Sequence, residues 1–185
     1  IRSGPNQAIA VTMAQWTGPT MQVHVVGWML VGDDESAAAF ASAIERAPRQ
    51  LFGGGTSISG AIDQSMLLLS QSPFKSQRRT IDVSGDGANN GGRSVVAARE
   101  DAVRQGVSIN GLPILAVDPY LDQYYYSYVI GGPGAFMIPG MVMAWLVSEP
   151  LIKGAPKTLR LAVTEPFHEF VGRQGTSPIF VDYAH

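Results

Sequence analysis

Two short segments carry the side chains most able to do chemistry. "FGGGTS", residues 52–57, ends a glycine run with two hydroxyls, and "SGDGANN", residues 84–90, sets one carboxylate between two glycines. With Ser59 just beyond the first segment, the candidate oxygen donors are Thr56, Ser57, Ser59, Asp86, Asn89 and Asn90. Hard oxygen ligands without a His or Cys cluster suit Mg²⁺, Mn²⁺ or Ca²⁺ rather than zinc. The two segments are therefore candidates for one divalent-cation site.

Both segments also have ordinary structural interpretations. A carboxylate such as Asp86 is common in turns, and Thr56 or Ser57 can cap a following helix. The glycine run could alternatively cradle a phosphate at a helix N-terminus, which would suit an enzyme that uses Gly53–Thr56 for the anion and Asp86 for a metal or as a base. No Lys follows as in a P-loop, and "GTSIS" is not the Gly-x-Ser-x-Gly elbow of hydrolases.

The elements around Asp86 predict an α/β core. Thr80 to Val83 is predicted to be a strand, and a helix from about Ser94 to Gln105 follows, with Gly106 in a C-cap position. Val107 to Leu115 is predicted to be a buried strand. Strand, helix and strand with short connections imply a parallel, right-handed crossover. In open sheets of this class ligands bind beyond the carboxyl ends of the strands, which is where Asp86 lies.

Earlier in the chain, a hairpin and two helices are predicted. Ala8 to Trp16 and Met21 to Met29 are apolar segments separated by the turn sequence "TGPT". Residues 33–48 open with acids and end at a proline, which predicts an amphipathic helix. A further helix, from about Ser57 to Ser70, follows the glycine run. Its N-terminus lies beside Thr56.

The composition limits the class of partner. The formal net charge is −2 and the basic residues are scattered, so a nucleic-acid footprint is not expected. The chain has no cysteine, which excludes disulfides and thiolate metal sites. The uncharged run 129–147 is interrupted by glycines and prolines, so membrane insertion is not expected either. Residues 1–20 show no signal-peptide pattern and Ile1 is not an initiator, which favours a processed or truncated chain.

The sequence resembles a bacterial family of von Willebrand factor A-like (vWA) domains of unknown function. The resemblance covers about residues 4 to 137 and rests on "FGGGTSISGAID", "RRTIDVSGDGANNGGR", "GVSINGLPIL" and "VIGGPGAF". It implies a doubly wound α/β fold, with a mostly parallel sheet flanked by helices. It also implies a protein-binding module without enzymatic turnover, in a bacterial protein exported to the periplasm.

The resemblance further implies a metal-ion-dependent adhesion site at the top of the sheet. Such a site binds Mg²⁺ or Mn²⁺, which in turn binds an acidic group of a protein partner. Thr56 matches the family's second-loop threonine, and Asp86 matches its third-loop aspartate. The supporting loop residues are Gly54, Gly55, Ser57, Ser84, Gly85, Gly87, Asn89 and Asn90.

The chain departs from the family pattern at both ends. No Asp-x-Ser-x-Ser motif precedes Ala8, so the family's first central strand and its metal-binding loop are missing. Two protein ligands would bind a divalent ion weakly. A missing central strand would leave unpaired backbone on its two neighbours, which invites completion by another chain. Residues 1–137 are predicted to be the vWA-like domain and 138–185 a divergent extension, and an incomplete fragment without autonomous function is a third hypothesis.

Three further features bear on function. Asp82, in mid-strand, is expected to need a hydrogen-bonding partner and to support the loop after its strand. His24 lies in an apolar strand and is interpreted as structural, and neither His168 nor His185 has metal-ligand spacing with it. "YYYSY", residues 124–128, is interpreted as local packing or interface.

Overall fold

A computed structural model describes residues 8–48, 50, 53–76 and 78–140, together with the backbone of residues 177–184. Its strands are β1 (Ile9–Trp16), β2 (Gln22–Val31), β3 (Arg78–Gly85), β4 (Val107–Pro113) and β5 (Ser177–Ala184). Its helices are α1 (Asp34–Arg46), α2 (Ile58–Ser70), α3 (Val95–Arg104) and α4 (Leu121–Tyr124), and a π-helical turn, Tyr125–Val129, continues α4. His168 and His185 lie outside the described residues.

The five strands form one mixed sheet in the order β2-β1-β5-β3-β4. β1 and β2 form the expected antiparallel hairpin, and β3 and β4 are parallel, from Arg79 opposite Val107 to Gly85 opposite Pro113. α3 connects the parallel pair. The α/β class and the elements predicted from the sequence are confirmed, with β3 longer than expected because it has neighbours on both sides.

β5 occupies the position between β1 and β3. It is antiparallel to both, pairing Ile9 with Ala184 and Val83 with Ile179. Since β1 and β3 are consequently parallel to each other, a first strand of the family type would run parallel to both. In the described part of the chain no such parallel strand lies between β1 and β3, and β5 occupies that position. No prediction from the sequence anticipated this pairing.

Capping side chains explain where the helices begin. Asp33 and Ser36 form a reciprocal capping box at α1. Ser57 accepts a hydrogen bond from the N–H of Gly60 at α2, and Ser94 accepts one from the N–H of Ala97 at α3. These hydroxyls and the carboxylate satisfy helix donors that would otherwise lack an intrahelical partner.

The hydrophobic core lies where α2, α3 and the π-helical turn pack on the sheet. Ile58 and Ile62 of α2, Ile81 and Val83 of β3, and Tyr125 of the turn are fully buried in it. α1 makes its main contact with β2 and has no buried residue. The amphipathic pattern of α1 therefore predicted a helix correctly, while its apolar face stays outside the main core. Among the described residues, no helix is long and apolar enough to cross a membrane.

Candidate functional site

The loop after β3 and the segment before α2 are joined at Thr56. The N–H of Thr56 donates to Oδ1 of Asn90 at 2.8 Å. In return, the N–H groups of Asn90 and Gly91 donate to the carbonyl of Thr56 at 2.8 and 3.2 Å. The two segments that the sequence analysis singled out therefore meet at the carboxyl end of β3, as the crossover predicted.

The N-terminus of α2 extends this contact. The N–H of Ser59 donates to Oδ1 of Asn89 at 3.1 Å, and the N–H of Ser57 donates to the carbonyl of Thr17 at 2.7 Å. The side chain of Ser57 accepts from the N–H of Gly60 at 3.1 Å. The side-chain oxygens of Ser57, Asn89 and Asn90 thus accept hydrogen bonds from backbone N–H groups, which favours a structural role for all three residues.

Thr56 and Asp86 remain as the candidate ligands. In the described part of the chain, neither Oγ1 of Thr56 nor the carboxylate of Asp86 has a hydrogen bond, and both residues are half-buried. A Cβ added to Gly87 would lie 3.2 Å from Oγ1 of Thr56, so the backbone one residue beyond Asp86 passes directly against that hydroxyl. The glycine permits this close approach.

Two other residues of the predicted site form hydrogen bonds between the ends of β3 and β4. Ser84 is buried, and its hydroxyl donates to the carbonyl of Leu112 at 3.0 Å. The carbonyl of Gly85 accepts from the N–H of Ile114 at 2.9 Å. Both interactions join the carboxyl end of β3 to the end of β4, so they position the loop that carries Asp86.

Asp82 supports β3 from within the sheet. Nδ2 of Asn110 donates to Oδ1 of Asp82 at 2.7 Å, and Oδ1 of Asn110 accepts from the N–H of Phe136 at 3.1 Å. Burial raises the pKa of Asp82, and the hydrogen bond from Asn110 opposes that rise. The partner expected for this mid-strand carboxylate is therefore present.

Tyr125 lies in the core within range of the charge of Asp86, a placement that the sequence did not reveal. The ring is fully buried, and its hydroxyl has no hydrogen-bond partner in the described part of the chain. Burial raises the pKa of Tyr125, and the nearby charge of Asp86 raises it further. The four-residue spacing of Tyr125 and Val129 is the sequence signal that could have predicted this buried face, since both side chains are buried in the structure. Packing is confirmed as one use of "YYYSY", while Tyr126 and Tyr128 are exposed.

The glycine run is shaped for a tight turn. Gly53, Gly54 and Gly55 have φ angles of +93°, +103° and +86°, a region that favours glycine. An anion bound here would need free N–H groups at the start of α2. Those of Thr56, Ser57, Ser59 and Gly60 already donate within the chain. The arrangement gives the phosphate-binding alternative little support.

The donor set is incomplete for a divalent ion. Among the described residues, no group of three or more His, Cys, Asp or Glu side chains could hold a metal. Thr56 and Asp86 supply one hydroxyl and one carboxylate, whereas Ca²⁺ takes about six to eight oxygens and Mg²⁺ requires near-octahedral coordination. His24 is exposed and lies 2.6 Å, Nε2 to Oγ1, from Thr12, which is consistent with the structural role expected for it. The described residues do not by themselves complete a metal site.

β5 alters the edge where the family's first loop would lie. Its first residue, Ser177, is opposite Trp16, so β5 begins at the edge that carries Thr56 and Asp86 and runs away from it. A parallel first strand would instead end there and would deliver its loop to the site. In the described part of the chain, β5 pairs its backbone with both β1 and β3 and runs antiparallel to them.

Comparison with known proteins finds a matching family and similar solved structures. A family model described as "Protein of unknown function (DUF1194)" matches residues 1–144. The crystal structure of the SpRpn10 VWA domain is similar, with 16% sequence identity, a TM-score of 0.49, and coverage of 77% of this chain and 70% of that one. No curated protein matches the sequence.

Proposed function

Since this chain belongs to the DUF1194 family of proteins of unknown function, we propose that it is a vWA-like protein-binding module rather than an enzyme. The partner binds at the edge formed by the Thr56 segment and the Asp86 loop. One observation carries the proposal. Neighbouring polar side chains accept hydrogen bonds from the backbone, while the hydroxyl of Thr56 and the carboxylate of Asp86 are half-exposed and have no hydrogen bond within the part of the chain that the structure describes. A positioned but unused carboxylate beyond a strand's carboxyl end is suited to contacting a ligand.

The proposal also includes a divalent cation at the partner site. Mg²⁺ or Mn²⁺ bound at Thr56 and Asp86 would let the site take an acidic group of the partner, as the family resemblance implies. Because Thr56 and Asp86 are the two ligand side chains that the described residues supply there, the ion binds weakly and water fills its remaining positions. Without the ion, Asp86 offers the partner an acceptor for a basic or N–H group.

The test is thermal unfolding of residues 1–185 with and without millimolar Mg²⁺ or Mn²⁺. An ion present at a hundred times its Kd adds about 2.7 kcal/mol to the free energy of unfolding. We expect a smaller rise, which Asp86→Ala abolishes and which the matched control Asp118→Ala retains. An equal rise in Asp86→Ala would show that the ion binds elsewhere. No rise in the unsubstituted chain would contradict the cation part of the proposal and leave partner binding without a metal.

The same assay separates the binding module from the phosphate-binding enzyme. Inorganic phosphate is added in place of the cation, with Gly54→Ala as the variant. We expect phosphate to leave the unfolding temperature unchanged, because the N–H groups at the start of α2 are already engaged. A phosphate-dependent rise that Gly54→Ala removes would favour the enzyme.

A further inference from the structure

Three tyrosines line one side of α4, its N-cap included, and of the π-helical turn. Tyr120, Tyr124 and Tyr128 are four residues apart, a spacing that places side chains on one side of a helix. The N–H of Tyr124 donates to the carbonyl of Tyr120 at 3.4 Å, and the ring centroids of Tyr124 and Tyr128 are 5.0 Å apart. Tyr120 is 68% exposed and Tyr128 is 47% exposed, while Tyr124 is half-buried. We call these three residues the tyrosine face.

The tyrosine face adjoins the loop that carries Asp86. Burial raises the pKa of Tyr124, and a hydrogen bond with the backbone of Asn89 opposes that rise. The ring of Tyr124 therefore reaches the loop three residues beyond Asp86. The charge of Asp86 also acts on Tyr125, the next residue of the turn. The half-buried carboxylate and the tyrosine rings thus border one surface.

The charges of this surface are negative. From residue 105 to residue 140 the charged residues are Asp118 and Asp122, which are both acidic. Arg99 packs on the turn from α3, where it donates to the carbonyl of Ser127 and its side chain is only 19% exposed. Arg93, which follows the Asp86 loop, forms ion pairs with carboxylates of α2 and α3. In the described part of the chain, the surface thus presents carboxylates and ring faces, and both neighbouring arginines are engaged.

A cationic side chain suits both parts of this surface. The face of a tyrosine ring attracts Lys or Arg through its negative potential, and a carboxylate forms charge-assisted hydrogen bonds with the same side chains. We propose that the tyrosine face and Asp86 together bind a Lys or Arg side chain of a protein partner. Arg suits the surface best, because its planar guanidinium stacks on rings and pairs with a carboxylate through two hydrogen bonds. The inference rests on the proposed function, in its metal-free form, and gives the partner's chemistry as a basic segment.

The test is an NMR titration of residues 1–185 with isotope-labelled tyrosine rings, in the absence of divalent ions. The probe is the peptide acetyl-Gly-Arg-Gly-Arg-Gly-amide, and matched peptides carry Gln or Glu in place of Arg. We expect the Arg peptide to shift the ring signals of Tyr124 and Tyr128, and the other two peptides to leave them unchanged. Equal shifts with all three peptides, or none with the Arg peptide, would overturn the inference.

Matched variants locate the bound side chain. Tyr128→Leu removes a ring but keeps apolar bulk, and Tyr126→Leu is its control, because Tyr126 is 69% exposed and two positions away does not share the side of Tyr128. We expect Tyr128→Leu and Asp86→Asn each to weaken binding of the Arg peptide about two- to fivefold, and Tyr126→Leu to leave it unchanged. Equal weakening by the two leucine variants, or full affinity in Asp86→Asn, would refute the inference.

The backbone N–H signals of Thr56 and Gly87 distinguish this inference from the proposed function. The Glu peptide is therefore also titrated with millimolar Mg²⁺ present. Shifts of these signals by the Glu peptide, with no response to the Arg peptide, would reject the inference and retain the proposed function. If neither peptide shifts them, the binding edge of the proposed function is itself rejected.

Discussion

Oδ1 of Asn90 accepts a hydrogen bond from the N–H of Thr56 at 2.8 Å and so connects the loop after β3 to the segment before α2. We expect Asn90→Ala to lower the free energy of unfolding by about 0.5–1.5 kcal/mol, because the N–H of Thr56 loses its acceptor. Urea unfolding measures the change. Asn90→Asp is the matched control, since it keeps an oxygen at this position. Equal losses in both variants would show that this acceptor does not join the two segments.

Gly92 packs against the first turn of α2. Its φ is +81°, and an added Cβ would lie 2.6 Å from Oγ of Ser57 and 2.8 Å from Oγ of Ser59. We expect Gly92→Ala to destabilise the fold by at least about 1–2 kcal/mol, because it combines the left-handed penalty with a clash. Gly27→Ala is the control, since no atom lies within 4 Å of its added Cβ. Similar unfolding midpoints for the two variants would contradict the close packing at Gly92.

The hydroxyl of Tyr125 is buried without a hydrogen-bond partner in the described part of the chain. Removing an unsatisfied buried group relieves its desolvation cost, so we expect Tyr125→Phe to raise the free energy of unfolding by up to about 1 kcal/mol. The exposed Tyr128→Phe should change it by less than about 0.5 kcal/mol. A clear loss of stability in Tyr125→Phe would mean that the hydroxyl has a partner, such as a bound water or the carboxylate of Asp86.

Asp82 should make stability depend on pH. Burial raises the pKa of this carboxyl in the folded chain, so the folded state binds its proton more tightly than the unfolded state does. The resulting stabilisation is complete below the unfolded pKa of about 3.9 and is lost as the pH rises through the folded pKa.

Asp82→Asn removes this titration and keeps an oxygen for the hydrogen bond from Asn110. We expect the free energy of unfolding of the variant, relative to that of the unsubstituted chain, to increase as the pH rises above about 4 and then to level off. Urea unfolding across a pH series measures this difference, and the values at pH of about 3 serve as the internal reference. A difference that does not vary with pH would show that Asp82 titrates alike in the folded and unfolded chains.

The sequence by itself determined the local elements and the approximate place of the site. Turn chemistry between two apolar segments predicted the hairpin, and capping residues with helical periodicity predicted α2 and α3. Gly106 was expected at a C-cap and has a φ of +75°. These features depend on interactions within a few residues, so the amino-acid order is enough to predict them. The crossover rule then predicted that Asp86 lies beyond the carboxyl end of its strand, and β3 ends at Gly85.

Only the tertiary structure decided which groups meet across the chain. It engaged Asn89 and Asn90 in backbone hydrogen bonds, buried Tyr125 within range of the charge of Asp86, and paired Asp82 with Asn110. It also placed β5 between β1 and β3. No local pattern predicts these contacts, because each joins segments far apart in sequence, and unpaired backbone accepts any strand of suitable length and register. The direction of β5 is likewise a property of the assembled sheet rather than of the strand's own residues.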